Sequence, residues 1–176
     1  MDLVTDAQHG LSLDPSSPAF PFGYGLDFLN VSYTNASVTV APEPTAASTT
    51  VPIQATVSLS NVGGMAGQYV VQVYFTPPPS VKTRLTRYRN MLGGFTKVHI
   101  PAGGSAEAVV DIPRTSLRHW NPKEKEYVFD SGVYAIHVCH DSRGLTGAHG
   151  GSDPTKEFEL PAGHPSGPCI TQSVTL

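Results

Sequence analysis

Apolar and polar residues alternate along several segments of the chain, and this pattern predicts half-buried β-strands. The alternation is clearest over 51–61, where branched apolar residues and alanine alternate with glutamine, threonine and serine. Residues 106–112 follow the same period of two, with Glu107 and Asp111 on the polar side. Successive side chains of a strand point to opposite faces, so each segment presents one face to a core and the other to solvent.

Other segments extend this strand pattern. Residues 68–75 carry apolar side chains on both faces, which predicts a central strand covered on both sides. Additional strands are expected over 30–40, up to Ile100, and over 133–140, with short edge strands at 156–160 and 170–176.

Turn residues separate these segments. The sequence Pro-Ala-Gly-Gly-Ser at 101–105 predicts a hairpin between the strand ending at Ile100 and the strand 106–112, because glycine supplies the positive φ of a tight reversal. Residues 115–120 are expected to form one short turn that buries Leu117 and Trp120 beneath the sheet edge.

Composition agrees with an all-β fold. The 176 residues include 17 glycines and 16 prolines, with 39% hydrophobic and 14% charged residues, and no helix-forming run. Six or more short strands without helices predict a two-sheet β-sandwich. The length fits one domain with a sizeable core.

Several short motifs occur in an order that is specific when they are taken together. They are Gly-Phe-x-Lys-Val at 94–98, the 101–105 turn, Leu-x-x-Trp at 117–120 and Ser-Gly-x-Tyr at 131–134. With Pro-Phe-Gly-Tyr-Gly-Leu at 21–26 and the segment 57–77, which resembles the first hairpin of that family's domain, they resemble the C-terminal fibronectin type III-like domain of glycoside hydrolase family 3. This family contains β-glucosidases and β-xylosidases. The resemblance covers residues 20–141 and implies a fibronectin type III-like (immunoglobulin-like) topology.

The resemblance also implies a non-catalytic role. In the family, the nucleophilic and acid/base carboxylates lie upstream of the Pro-Phe-Gly-Tyr-Gly-Leu segment, so neither is assigned to a residue of this chain. We therefore expect a lead segment or interdomain linker at 1–28. It is followed by a fibronectin type III-like domain at 29–176 with long loops and a C-terminal extension. Such a module would support and dock on catalytic domains.

Two segments are candidates for the docking surface. Aromatic residues that are costly to leave together in water occur in the lead segment at Phe22, Tyr24 and Phe28. The long loop at 76–92 has a local basic cluster, for which a solvated loop is the simpler interpretation. Its residues are Lys82, Arg84, Arg87, Tyr88 and Arg89.

The cysteines and two sequons suggest an oxidising, secretory environment. Cys139 and Cys169 are predicted to form a disulfide that holds a glycine-rich tail. A metal site at His137, Cys139 and His140 is the weaker alternative, since His140 lies on the opposite strand face. Asn30 and Asn35 begin Asn-x-Ser triplets that permit N-glycosylation. Because no signal peptide precedes them, we expect an extracellular protein of which this chain is one part.

Other function classes receive little support from the sequence. A net charge of −3 gives no electrostatic footprint for nucleic acid, and no apolar run is long enough for a membrane span. No cofactor motif occurs, since 144–151 lacks the spacing of a phosphate loop. A self-sufficient glycosidase would need converging carboxylates, for which Glu107, Asp111, Glu124, Glu126 and Asp130 are the candidates by residue type.

A second possibility is a stand-alone module that binds polysaccharide or lignin through exposed, coplanar aromatic rings. Tyr24 and Tyr88 are the first candidates for such rings. Trp120, the only tryptophan, is instead expected in the core because of its spacing from Leu117.

Overall fold

A computed structural model describes residues 22, 23, 25, 28–40, 53–78, 91–142 and 169–176. Nine strands and one short 3₁₀ helix occur in these ranges. The strands are β1 Val31–Val40, β2 Ile53–Asn61, β3 Gly67–Thr76, β4 Met91–Ile100, β5 Ser105–Ile112, β6 His119–Asn121, β7 Glu126–Val128, β8 Val133–Cys139 and β9 Ile170–Thr175, and the 3₁₀ helix is Arg114–Leu117.

The strands form two main antiparallel sheets. The first, which we call sheet A, has the order β1-β2-β5, and the second, sheet B, has the order β4-β3-β8-β9. Strands β6 and β7 pair separately as a small hairpin. The structure thus confirms the predicted two-sheet β-sandwich. No helix in the described ranges combines the length and apolarity needed to cross a membrane.

The core lies between the two sheets and follows the predicted alternation. Every second residue of β2 is buried, and the intervening residues are partly exposed. The inner faces of β3 and β8 contribute Phe75 and Tyr134, which are fully buried and have ring centroids 6.3 Å apart. The Tyr134 hydroxyl donates a 2.7 Å hydrogen bond to the carbonyl of Asp130, four residues earlier. Immunoglobulin-like sandwiches use a comparable tyrosine to fix a strand corner.

Two predicted hairpins are wrong. Strands β4 and β5 follow one another across the 101–105 turn, but β5 pairs with β2 in sheet A and β4 pairs with β3 in sheet B. The segment 57–77 likewise crosses between sheets, because β2 and β3 belong to different ones. A glycine-rich turn permits either a hairpin within one sheet or a connection from one sheet to the other. Here the β2–β3 and β4–β5 connections both pass between the sheets, and they are hydrogen-bonded to each other, since the amide of Gly103 donates to the carbonyl of Gly63 at 3.1 Å.

Trp120 does not lie in the core, so its predicted burial is also wrong. Leu117 is fully buried, but 47% of Trp120 is exposed. The helical turn ends at Leu117, and Arg118 is already extended, with φ −75° and ψ 152°. From there the period of two applies, which directs Trp120 outwards beside Tyr127, with ring centroids 5.3 Å apart.

Strand limits differ slightly from expectation. Strand β4 begins at Met91, inside the stretch expected to be a loop, and β9 is present as an edge strand on β8. Strand β3 is only partly covered on its outer face, since 43% of Val70 is exposed. The expected strand at 156–160 lies outside the described residues.

Candidate interdomain surface

The lead segment reaches the sandwich on the outer face of sheet B, where one glutamine holds it. The side-chain amide of Gln72 donates to the carbonyl of Gly23 at 3.1 Å and to that of His140 at 2.9 Å. The Tyr74 hydroxyl in turn donates a 2.7 Å hydrogen bond to the side-chain oxygen Oε1 of Gln72. Gln72 is nearly buried, so these bonds replace water at a polar group in an otherwise apolar strand.

A side chain at position 23 would be strained and would collide with Gln72. The φ of Gly23, +80°, lies in the left-handed region, and a Cβ atom there would be 2.1 Å from Oε1 of Gln72. The neighbouring Phe22 carbonyl accepts a hydrogen bond from the amide of Ser142 at 2.9 Å. Phe22 and Gly23 are therefore held by the backbone of Ser142, just after β8, and by the side chain of Gln72 on β3.

The aromatic side chains of this segment face away from the module. Phe22 is 64% exposed and Phe28 is 88% exposed, although the backbone of Phe22 is hydrogen-bonded. Between Phe28 and β1, Leu29 is buried, and a Cβ atom on Gly67 would contact it at 3.1 Å. The segment is thus held by its backbone and by Leu29, while two phenylalanine rings are left in water. Tyr24, the third predicted aromatic residue, lies outside the described residues.

Burial raises the pKa of two tyrosine hydroxyls in this region, so they stay protonated well above physiological pH. Desolvation raises the pKa of Tyr74 above its ordinary value, and the negative charge of Asp141 adds to the effect. The pKa of Tyr33 is raised by the same main cause, burial. Both side chains therefore remain hydrogen-bond donors at any physiological pH, and Tyr33 donates to the carbonyl of Cys139 at 3.1 Å.

Histidines near the end of β8 serve structural contacts in this structure. The ring of His140 stacks on Tyr33, with centroids 4.0 Å apart, and its Nδ1 hydrogen-bonds the Tyr69 hydroxyl. His137 lies between two threonine hydroxyls, 2.9 Å from Thr76 and 2.8 Å from Thr171. In the described part of the chain, no group of three histidine, cysteine or acidic residues is placed to hold a metal ion.

A disulfide joins Cys139 to Cys169, and their Cα atoms are 4.6 Å apart. Cys139 is buried on the outer face of β8, in a small cluster with Tyr74 that Leu92 and Cys169 cover in part. This is the face opposite Tyr134, as the alternation predicted. The bridge lies directly before β9, so it fastens the chain at the point where the last strand begins.

The two sequon asparagines are exposed at the other side of the sandwich. Asn30 directly precedes β1, and Asn35 lies within it, opposite Ser58 in the register of sheet A. Ser58 belongs to the outward face of β2, so a glycan on Asn35 would extend from the outer face of sheet A.

The carboxylates considered for catalysis are spread over several elements. Glu107 and Asp111 are exposed on the outer face of β5, four residues apart, which corresponds to about 13 Å along a strand. Asp111 accepts a 3.0 Å hydrogen bond from Gln54. Glu126 is exposed on the separate β6–β7 hairpin, whereas Asp130 is buried and 3.4 Å from His119.

Two further features complete the picture of this surface. The basic cluster from Lys82 to Arg89 lies outside the described residues.

Sequence reasoning missed the role of Gln72, although a glutamine inside an apolar strand is itself a signal that its amide has buried partners. It also missed the exposed Trp120–Tyr127 pair, for which only the alternation around Trp120 gave a signal.

Comparison with known proteins identifies a domain within the chain. Residues 69–142 match the family model of the fibronectin type III-like domain. The chain carries a fibronectin type III-like domain. The match begins in β3 and ends just beyond β8, so it includes Gln72 and the strand that bears Cys139.

The sequence around this fibronectin type III-like domain is similar to parts of fungal β-glucosidases. "Probable beta-glucosidase I" of Emericella nidulans is 30% identical over 144 residues, which are 81% of this chain and 16% of that protein. Beta-glucosidase cel3A of Pyricularia oryzae is 33% identical over 141 residues, or 73% of this chain and 19% of that protein. The chain therefore matches less than a fifth of the length of either relative.

A solved structure shows the same fold. The GH3 β-glucosidase of Bifidobacterium adolescentis superimposes with a TM-score of 0.63 and 24% identity, covering 89% of this chain and 18% of that one. These findings confirm the resemblance to the fibronectin type III-like part of family 3 glycoside hydrolases.

Proposed function

We propose that this chain is a non-catalytic accessory module of a family 3 β-glycosidase, of the β-glucosidase kind, and that it docks on that enzyme's catalytic domains. The observation that carries the proposal is the lead segment, whose backbone is fixed on β3 while Phe22 and Phe28 are exposed. Fully burying a side chain of this size stabilises an assembly by about 1.5–3 kcal/mol. An exposed apolar side chain whose backbone is already held, as at Phe22, is suited to an interface, since ordering it on binding costs little entropy.

The similarity to β-glucosidases supports this role. The relatives are several times longer than the matched segment, so the domain belongs to larger proteins in those organisms. In our proposal the boundary lies at residue 28, with 1–28 as the interdomain segment and 29–176 as the module. The basic loop residues Lys82, Arg84, Arg87, Tyr88 and Arg89 would lie at the same interface as Phe22, Tyr24 and Phe28.

The proposed setting is extracellular. The Cys139–Cys169 disulfide is of a kind that persists in oxidising compartments, and the exposed Asn30 and Asn35 are accessible to glycosylation. A glycan at Asn35 would leave the outer face of sheet B free for a partner domain.

Hydrolysis of aryl β-glucosides and β-xylosides by the purified chain tests the non-catalytic role. We expect no turnover above that of a heat-denatured sample. Turnover that follows the protein through purification and disappears in Asp111→Asn or Glu126→Gln would contradict the proposal. Asp130→Asn is a less useful variant because Asp130 is buried and its loss would disturb folding.

One observation favours the alternative, adsorption to a polysaccharide or lignin. Trp120 and Tyr127 are exposed side by side on the β6–β7 hairpin, and exposed aromatic rings can stack on sugar rings. Their planes differ by 67°, so they offer two separate ring faces and not one flat platform. Co-sedimentation with cellulose and with lignin tests this alternative when the native chain is compared with Trp120→Ala. Binding to either polymer that is lost in Trp120→Ala would support a role in adsorption.

A further inference from the structure

A second apolar area lies on the outer face of sheet B, beside the lead segment. Phe95 of β4 is 68% exposed, and Val70 of β3 is 43% exposed. In the register of the sheet, Val70 is opposite Lys97 and Gln72 is opposite Phe95. Val70 and Phe95 are therefore diagonal neighbours on one face, a spacing of about 7–8 Å between Cα atoms that long side chains can bridge.

The lead segment and this area lie on the same face of sheet B. Gly23 lies directly on Gln72, and Gln72 is the cross-strand partner of Phe95. Phe22 lies on the same outer face, since its carbonyl accepts a hydrogen bond from the Tyr74 hydroxyl at 3.4 Å, and its ring is exposed.

The outer face of sheet A has a different character. The outward residues of β2 are Gln54, Thr56, Ser58 and Ser60, and those of β1 are also mainly hydroxyl-bearing. A partner there would have to displace water from these groups, and it would meet the exposed Asn35 of a sequon. The two faces of the sandwich thus differ in what they can bury without cost.

We propose that Phe95 and Val70, together with Phe22, form the docking face for the domain that precedes this module in its parent glycosidase. The inference rests on the proposed function. The occupant is the preceding part of the same polypeptide because Phe22 and Gly23 of the lead segment are held on this face, and because the matched relatives contain several times more chain than this module. The chemistry of that occupant is an apolar surface, with Lys97 at the edge placed to meet an acidic group.

A graft into a relative tests this assignment. The matching 141-residue segment of Pyricularia oryzae Beta-glucosidase cel3A is replaced by the 176-residue chain, and the half-life of β-glucosidase activity at elevated temperature is measured. The variants are Val70→Asp and Phe95→Asp. The structure offers matched controls away from the proposed face: Val109, with the same 43% exposure on sheet A, and Tyr127, with 66% exposure on the hairpin, each also changed to Asp.

We expect the native graft to inactivate more slowly than cel3A lacking the segment. Val70→Asp and Phe95→Asp should each shorten the half-life of the graft by about tenfold, because a charge would occupy an apolar contact. Val109→Asp and Tyr127→Asp should leave it unchanged. In the isolated chain, all four variants should unfold at temperatures within a few degrees of the native chain, since each side chain is exposed.

The alternative outcomes separate the two proposals. If the native graft gives no protection, the accessory role and the docking face both fail. If the graft protects but the two face variants behave like the two controls, the docking face is refuted and the accessory role stands. If Val70→Asp and Phe95→Asp destabilise the isolated chain as much as the graft, these side chains support the module itself, which also refutes the docking face.

Discussion

Replacing Gly23 with alanine probes the contact that fixes the lead segment. The new Cβ atom would be 2.1 Å from Oε1 and 2.5 Å from Nε2 of Gln72. Gln72 is buried and hydrogen-bonded, so it cannot move aside without leaving the carbonyls of Gly23 and His140. We therefore expect Gly23→Ala to release the lead segment from β3.

Gly103 provides a matched control for this substitution. It also has a positive φ, +61°, but a Cβ atom there would have no neighbour within 4 Å. Alanine in the left-handed region costs about 1–2 kcal/mol at either position. At Gly23, two or three hydrogen bonds around Gln72 are lost in addition, each worth about 0.5–1.5 kcal/mol. The free energy of unfolding should fall by about 2–6.5 kcal/mol in Gly23→Ala and by about 1–2 kcal/mol in Gly103→Ala.

Urea unfolding and amide hydrogen exchange measure these effects. The Ser142 amide donates to the Phe22 carbonyl, so its exchange reports directly on docking of the segment. Exchange at Ser142 should accelerate in Gly23→Ala and remain slow in Gly103→Ala. Equal destabilisation by the two substitutions, with Ser142 still protected in both, would refute the reasoning.

Three other predictions follow from the same contacts. The rings of Phe22 and Phe28 are exposed, so the double variant Phe22→Ser with Phe28→Ser should raise the solubility of the isolated chain and change its melting temperature by no more than a few degrees. A large fall in melting temperature would instead place these rings in the module's own core. Thiol titration of denatured, non-reduced protein should find no free thiol, and reduction should lower the free energy of unfolding by about 3–4 kcal/mol for the loop between Cys139 and Cys169; two free thiols in protein made in an oxidising compartment would contradict the pairing. Burial lowers the pKa of His137 in the folded chain below its ordinary value of 6.5. As the pH decreases below 6.5, the unfolded chain therefore binds a proton on His137 more readily than the folded chain, and the free energy of unfolding should fall. This dependence should be weaker in His137→Gln, and an identical pH profile in that variant would exclude His137 as its source.

The faces of the strands were predictable from sequence, whereas the pairing of the strands was not. The period of two assigns Val57 and Ile136 to the core and Cys139 to the opposite side, because it depends only on local backbone geometry. The partner of a strand depends on where the chain goes after a turn. The glycines at 101–105 allow a sharp reversal, but they do not determine whether the next strand stays in sheet B or crosses to sheet A.

The candidate surface was predictable in part for a similar reason. Aromatic residues clustered in the lead segment indicate an interface by their composition alone. The position of that segment on the sandwich depends on a hydrogen bond between Gln72 and Gly23, which are 49 residues apart in sequence. No local sequence pattern encodes such a contact. Trp120 was misplaced because one residue, Arg118, changes the backbone from helical to extended and with it the direction of the next side chains.

The size and activity of the natural protein test the central claim most directly. An antibody raised against this 18.7 kDa chain can be used to blot and to immunodeplete extracts and culture medium of the organism that encodes it. If the chain is an accessory module of a β-glycosidase, the antibody detects a polypeptide several times larger, and depletion removes β-glucosidase or β-xylosidase activity with it. Detection of an 18.7 kDa species alone, with that activity left in the depleted sample, would contradict the claim.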